Sequence, residues 1–336
     1  MSLDRRRVLA LGAGAAAVFT AMDGVAFADD GSAPEPAGRL SARDVPSDAE
    51  LACSLPGGFR SDYADVNGTR LHYVAGGRGE PLVLLPGWPE TWWADRKILP
   101  ILAQRYRVIA VDARGQGGSA RPEGGYDKKT MARDVYELVR GLGYRSVNIA
   151  GHDIGAMVAY SFAANHPDAT RALAMLDVVH PDDSLYQLPM LLPPNAGFNM
   201  WWFAFNQVVG LPQDVMAGRF WRVIEWLYDN SLYDQSHVTE LDRAVYSRAY
   251  DNRDGIRASC GWYQALNQDI ADMRTYDKVS APVIGLACPS EFDRVQSTLQ
   301  NVTTDLRGMV QVSKSMHWLA EDDPELVSRT LTNFFG

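Results

Sequence analysis

The sequence predicts an α/β fold: a mostly parallel sheet flanked by helices, interrupted by one inserted helical cap domain. Two observations carry that prediction. Short apolar runs suited to buried strands alternate with segments of helical spacing from Tyr63 to about Val178, and again from Ser280 onward. Between them, residues 179–276 are rich in Trp, Tyr and Met, helical in pattern and without a strand series.

Arg70 to Val74 alternates polar and apolar side chains as a half-buried strand does, and Gly76 to Glu80 is a turn. Pro81 to Leu85 and Tyr106 to Val111 are apolar runs of strand length. Lys129 to Leu142 has helical spacing, Ser146 to Ala150 is the next strand, and Ala156 to Asn165 reads as a helix. Ala172 to Val178, Pro282 to Ala287 and Val310 to Val312 continue the strand series, with a last helix after Leu319. The spacing therefore divides the folded part into a core of residues 51–178 and 277–336, and a cap of residues 179–276.

A length of 336 residues, 46% hydrophobic and 22% charged, fits one large domain carrying an insertion. Ahead of Leu51, residues 29–50 are rich in Asp, Ser, Pro, Ala and Gly, a composition that predicts a disordered linker. Residues 1–28 have the features of a cleavable signal. Arg5-Arg6-Arg7 precedes a weakly apolar Ala/Gly stretch, and Ala26-Phe27-Ala28 supplies small residues before Asp29. This resembles a bacterial twin-arginine export signal and implies an extracellular or cell-envelope location.

The net charge of -9 argues against a nucleic-acid partner. The apolar stretch at the N-terminus is too short and too Ala-rich for a membrane span, so no stable membrane partner is expected. Cys53, Cys260 and Cys288 are scattered without metal-ligand spacing, and their odd number predicts no disulfide framework. No metal and no organic cofactor are expected.

Chemistry enters at Gly151-His152-Asp153-Ile154-Gly155, between an apolar strand and a helix. Strand, glycine-flanked turn and helix is the setting of a nucleophile elbow, in which small neighbours let a strained turn expose the central side chain. Asp153 is the candidate nucleophile. A carboxylate is an anion at neutral pH without help from a base, and it can attack an electrophilic carbon to form an alkyl-enzyme ester.

Four separated signatures occur in order: Gly87-Trp88-Pro89-Glu90, Asp112-Ala113-Arg114-Gly115-Gln116-Gly117-Gly118-Ser119, the elbow, and the late His317. With them, residues from about 60 to 336 resemble the α/β-hydrolase fold, in its group of epoxide hydrolases and of haloalkane and fluoroacetate dehalogenases. The resemblance implies that His317, one of six histidines with His72, His152, His166, His180 and His237, is the base that activates water against the ester. The acid that orients it is left between two positions. Asp177 matches the fluoroacetate dehalogenase-like pattern, and Glu291, with its neighbour Asp293, matches that of epoxide hydrolases.

By the same resemblance, the backbone N–H groups of Trp88 and Ile154 form the oxyanion hole. The turn before Trp88 begins with histidine in this group, whereas Pro86 stands here, so one side-chain hydrogen bond that steadies the turn is lost. Tyr263 matches a cap tyrosine that protonates an epoxide oxygen, and the position of a second falls on Trp202, which can orient but not protonate. Trp201, Trp202, Phe203 and Tyr263 are expected to line a wide aromatic site for an apolar small molecule, polycyclic ones included. Epoxide hydrolysis is the reading preferred. Dehalogenation is the alternative, weakened by Ile154, which carries neither the Arg nor the Trp that dehalogenases have there. A non-catalytic binding member of the fold is the third.

Overall fold

The apolar runs become strands because both faces of the sheet are covered. The computed structural model describes Leu40 and residues 44–192 and 199–336. Its strands are β1 (Arg60–Val66), β2 (Thr69–Gly76), β3 (Glu80–Leu85), β4 (Tyr106–Asp112), β5 (Val147–His152), β6 (Thr170–Leu176), β7 (Val283–Ala287) and β8 (Leu306–Gln311). They form one sheet in the order β1-β2-β4-β3-β5-β6-β7-β8. Strands β3 to β8 run parallel, and β1 and β2 close one edge antiparallel. Every residue of β7 is buried, as are five of six in both β3 and β5, which is why these strands read as unbroken apolar runs.

The helices are α1 (Asp48–Ser54), α2 (Leu99–Leu102), α3 (Lys128–Gly141), α4 (Ile154–Asn165), α5 (Trp201–Gln207), α6 (Leu211–Met216), α7 (Trp221–Ser231), α8 (Glu240–Tyr250), α9 (Arg253–Gln264), α10 (Leu266–Met273), α11 (Phe292–Val302), α12 (Leu319–Asp322) and α13 (Pro324–Phe335). Helix α4 is buried from Ile154 through Ala163 and packs between α3 and strands β5 and β6. Among the described residues, the chain between β6 and β7 holds no strand: α5 to α10 all lie there.

That helical excursion is tied to the sheet layer by buried polar bonds. Lys128 Nζ, fully buried at the start of α3, donates to Asp269 on α10 and to the Trp262 carbonyl on α9, each at 2.7 Å. Trp93 Nε1 donates to Asp242 on α8 at 2.7 Å, and Arg96 bridges Asp242 to Glu321 on α12. Each of these charges is buried with a partner, the condition under which a buried charge is tolerated.

The signal expected over residues 1–28 lies outside the described residues. The linker expected over 29–50 is corrected at its end. Val45 is buried, Arg248 donates to the carbonyls of Val45 and Pro46, and α1 starts at Asp48 under a Ser47–Glu50 capping box. Reciprocal capping and the burial of Leu51 and Ala52 order this stretch despite its polar composition. The strand expected to run to Val178 ends at Leu176, because Asp177 turns to φ 64°.

Candidate active site

Four parallel strands deliver the site at their carboxyl ends, where open parallel sheets present their loops. Trp88 follows β3, Asp153 follows β5, Asp177 follows β6 and His317 follows β8. Asp153 has φ 51° and ψ −123°, a backbone conformation unusual for a residue with a side chain. The turn closes because its neighbours have no Cβ. One placed on Gly151 would collide with the Gly155 carbonyl, one on Gly155 with Leu85, and one on Gly87 with Asp153 itself.

Of the two acids that the sequence leaves open, Asp177 is the one whose side chain meets His317. His317 Nδ1–H donates to Asp177 Oδ2 at 2.6 Å, while Nε2 faces Asp153 Oδ2 at 3.8 Å. The Cys288 backbone N–H donates to the other oxygen, Asp177 Oδ1, at 2.8 Å. Glu291 is corrected: it sits at the start of α11 and pairs with Arg294 at 2.6 Å, turned to the helix surface. Asp293, in the first turn of that helix, is exposed. Strand β7 ends one residue before Cys288, so its backbone reaches Asp177 while the carboxylates beyond it continue into α11.

Burial alone would depress the imidazolium of His317. The hydrogen bond and charge of Asp177, followed by the charges of Asp153 and Glu90, outweigh it and lift His317 to about 9. Burial likewise works against the Asp177 carboxylate, but His317 and the Cys288 N–H hold it below its ordinary value. A His317 imidazolium thus has the Asp177 carboxylate on one side and the Asp153 side chain on the other.

The other five histidines are occupied elsewhere or serve behind His317. His72 bonds Asp112 and Ser61, His237 bonds Asp322, His166 stacks on Tyr136, and His180 packs between Tyr160 and Tyr276. His152 Nε2–H donates to the His317 carbonyl at 2.9 Å. Burial, then the charge of His317, pushes His152 down to about 4, so it stays neutral. Glu90, buried and driven well up by burial and by the charge of Glu321, accepts from Tyr228 at 2.8 Å and lies 3.9 Å from His152 Nδ1. The sequence reading did not assign roles to His152, Glu90 or Tyr228.

The oxyanion side is half drawn already. Trp88 N–H donates to Asp153 Oδ1 at 2.9 Å, and Ile154 opens α4 directly after the nucleophile position. The support removed by Pro86 is supplied from another loop. Gln116 Nε2 donates to the carbonyls of Gly87 at 3.0 Å and Glu90 at 3.2 Å, while its Oε1 accepts from Ala113 N–H at 2.9 Å. Gln116 stood in a motif visible in the sequence, but nothing local showed where its amide pointed.

Across from Asp153, the helical excursion contributes an aromatic wall. Tyr263 is buried on α9, edge-on to Trp88 at 5.6 Å and to Phe203 at 5.3 Å. Burial, then the charge of Asp153, raises its phenol well above the ordinary value, and a hydrogen bond with the Trp202 side chain opposes them. Trp202 also stacks on Trp88 at 6.3 Å. Trp201 stands one step further out, against Trp202, Phe205 and Trp226.

Among the described residues, the His, Cys, Asp and Glu group close enough to hold a metal is His152, Asp177 and His317, with ligand atoms within 4.8 Å of one another. Asp177 Oδ2 and His317 Nδ1 already bind each other, and His152 Nε2 binds a carbonyl. The donor set fits proton transfer better than metal ligation.

A strained carboxylate at a strand-to-helix elbow, faced by a His–Asp pair, defines a hydrolase of the α/β-hydrolase class. The chain belongs to the α/β-hydrolase fold family, within its epoxide hydrolase-like group. The profile of the family described as alpha/beta hydrolase fold matches residues 80–211. The soluble epoxide hydrolase of Corynebacterium sp. (strain C12) is 34% identical over 283 residues, covering 81% of this chain and 96% of the relative. The fluoroacetate dehalogenase of Burkholderia sp. is 37% identical over 127 residues, 36% of this chain and 42% of that one. The crystal structure of wild-type Cfl2 from Burkholderia cenocepacia matches with a TM-score of 0.76 and 33% identity, covering 83% of this chain and 96% of that one.

Proposed function

We propose that this hydrolase opens an apolar epoxide through an alkyl ester on Asp153, and that water activated by His317 then cleaves the ester. The observation that carries the reading is the arrangement of Asp153 between Trp88 N–H and His317 on one side, with Tyr263 and Trp202 opposite. Asp153 attacks an epoxide carbon as the C–O bond breaks. Tyr263 O–H gives its proton to the departing oxygen, while the Trp202 side chain holds the phenol in place.

Esterification removes the negative charge of Asp153. One support of the raised His317 pKa then disappears, so the imidazole more readily loses its proton and becomes the base the second step needs. Water attacks the ester carbonyl carbon, the oxyanion is met by Trp88 and Ile154 N–H, and Asp177 stabilises the imidazolium formed. The intermediate collapses as the bond from the carboxyl carbon to the substrate oxygen breaks, and that oxygen takes the imidazolium proton as the diol leaves. Asp153 keeps one oxygen from water, and the remaining water proton restores the Tyr263 phenol. Asp177, Tyr263, Trp202, Trp201 and Phe203 thus complete a site suited to apolar and fused-ring epoxides.

Dehalogenation is supported less. Ile154 is buried and apolar and adds no donor for halide or carboxylate. Single turnover in heavy-oxygen water on a styrene-type epoxide, followed by peptide mass analysis, tests the proposal. Label should appear in the Asp153 carboxylate. Label confined to the diol would mean direct attack by water and would remove the ester.

A further inference from the structure

The large exposed apolar side chains are unevenly distributed. Tyr186, Leu188, Met190, Leu191, Met200, Val208, Val209, Leu211 and Val215 fall within one stretch of the helical excursion, and Met190, Leu191 and Val209 are 85%, 86% and 83% exposed. From Ser184 through Gln213 the sequence carries no charged side chain. Leaving such side chains in water is unfavourable, and clustering marks a contact surface.

The two described arms of this stretch meet at one place. Tyr186 Oη donates to Asn267, and Gln264 donates to the Asn206 carbonyl, so both arms are anchored at the α9–α10 junction. Helix α6, which carries Leu211 and Val215, packs on the same α9. From this lip an aromatic series runs inward. Trp201 contacts Trp202, Trp202 contacts Trp88, and the Trp88 N–H binds Asp153.

We propose that this lip docks reversibly on an uncharged lipid surface, from which the site takes a lipid-dissolved epoxide. The substrate part of this inference rests on the epoxide reading above, whereas the docking does not. Charge selects the kind of surface. Of the charges flanking the lip, Asp183 pairs with Arg274 and Asp214 with Arg253, Arg219 and Arg222 lie exposed just beyond α6, and the chain is acidic overall. Two arginines fall short of the cluster of several basic residues that recruits anionic headgroups. Among the described residues no helix is long and apolar enough to cross a membrane. The contact is therefore peripheral, made by side chains dipping into the interface, and such a reversible contact agrees with the expectation of no stable membrane partner.

The test is co-sedimentation of the purified protein with phosphatidylcholine vesicles, compared with vesicles containing phosphatidylglycerol. The protein should pellet with the first, and anionic lipid should not increase the bound fraction. A triple variant, Met190→Asp with Leu191→Asp and Val209→Asp, should lose binding by about tenfold or more, since three apolar side chains no longer enter the interface. These side chains make few contacts, so the variant should open a water-soluble styrene-type epoxide at the original rate while losing turnover of a long-chain epoxide carried in vesicles. Failure of the unaltered protein to pellet overturns the docking, with or without a variant. If it instead forms a dimer that the triple variant dissolves, without binding vesicles, the lip belongs to a second copy and the proposal is wrong. Vesicle binding without turnover of any epoxide would leave docking in place and overturn the reaction assigned above.

Discussion

His317 and Asp177 lie 140 residues apart in the chain, and their side chains meet at 2.6 Å. That contact fixes which imidazole nitrogen faces Asp153, because Nδ1–H is committed to the carboxylate and Nε2 is left toward the nucleophile. It also holds most of the charge that raises His317 against its burial.

Asp177→Asn should therefore cripple ester hydrolysis more than ester formation. Loss of the carboxylate frees the imidazole to take the wrong tautomer, an effect worth roughly 10⁴ in a Ser–His–Asp triad. Intact-mass analysis during turnover should show accumulated enzyme-substrate adduct. Glu291→Gln, on the surface beside Arg294, should change the rate by no more than about twofold. Equal losses in the two variants would contradict the geometry.

A pH effect follows from the same pair. Because the folded state raises His317 to about 9, the protonated imidazole contributes stability that is fully present below its unfolded value, about 6.5, and is lost as pH rises through 9. The melting-temperature advantage of the natural protein over His317→Gln should shrink across that window. In single-turnover experiments the ester-hydrolysis step should rise with pH and reach half its maximum below pH 9, since esterified Asp153 no longer supports the imidazolium. A midpoint at 9 or above would show that the Asp153 charge does not act on His317.

Tyr263 is kept protonated by burial and by the Asp153 charge, which suits a proton donor. Tyr263→Phe should lower epoxide opening by roughly 10²–10⁴ with the fold retained. Release of a halide needs no proton, so any haloacid turnover should suffer less. Trp202→Phe should weaken both reactions, because it removes the indole donor. Intact epoxide opening in Tyr263→Phe, measured by diol formation, would remove Tyr263 from the proton-donor role.

Gln116 offers a test of the rebuilt oxyanion turn. Gln116→Ala leaves the buried carbonyls of Gly87 and Glu90 without this donor, and should cost about 1–3 kcal/mol in chemical denaturation. Both half-reactions should slow, because Trp88 N–H loses its fixed aim at Asp153. Pro86→His should recover part of the rate in the Gln116→Ala background by restoring a side-chain brace. No recovery would mean that the two side chains support the turn in different ways.

What the sequence determined by itself was local. Runs of buried strand length, a carboxylate between Gly151 and Gly155, and an aromatic stretch without strands each express their structure within a few residues, so periodicity and turn chemistry suffice to read them. The Ser47–Glu50 cap of α1 is just as local, yet the polar composition around it points to a linker. What only the tertiary structure decided depended on groups brought together across long loops. Asp177 rather than Glu291 meets His317, because β6 ends beside β8's following loop while Glu291 is carried into α11. Gln116 braces the turn after Pro86 from another loop, and Trp202, the position the resemblance had picked out, meets Trp88 and Tyr263. In each case the outcome lay in side-chain direction, which packing between distant elements sets.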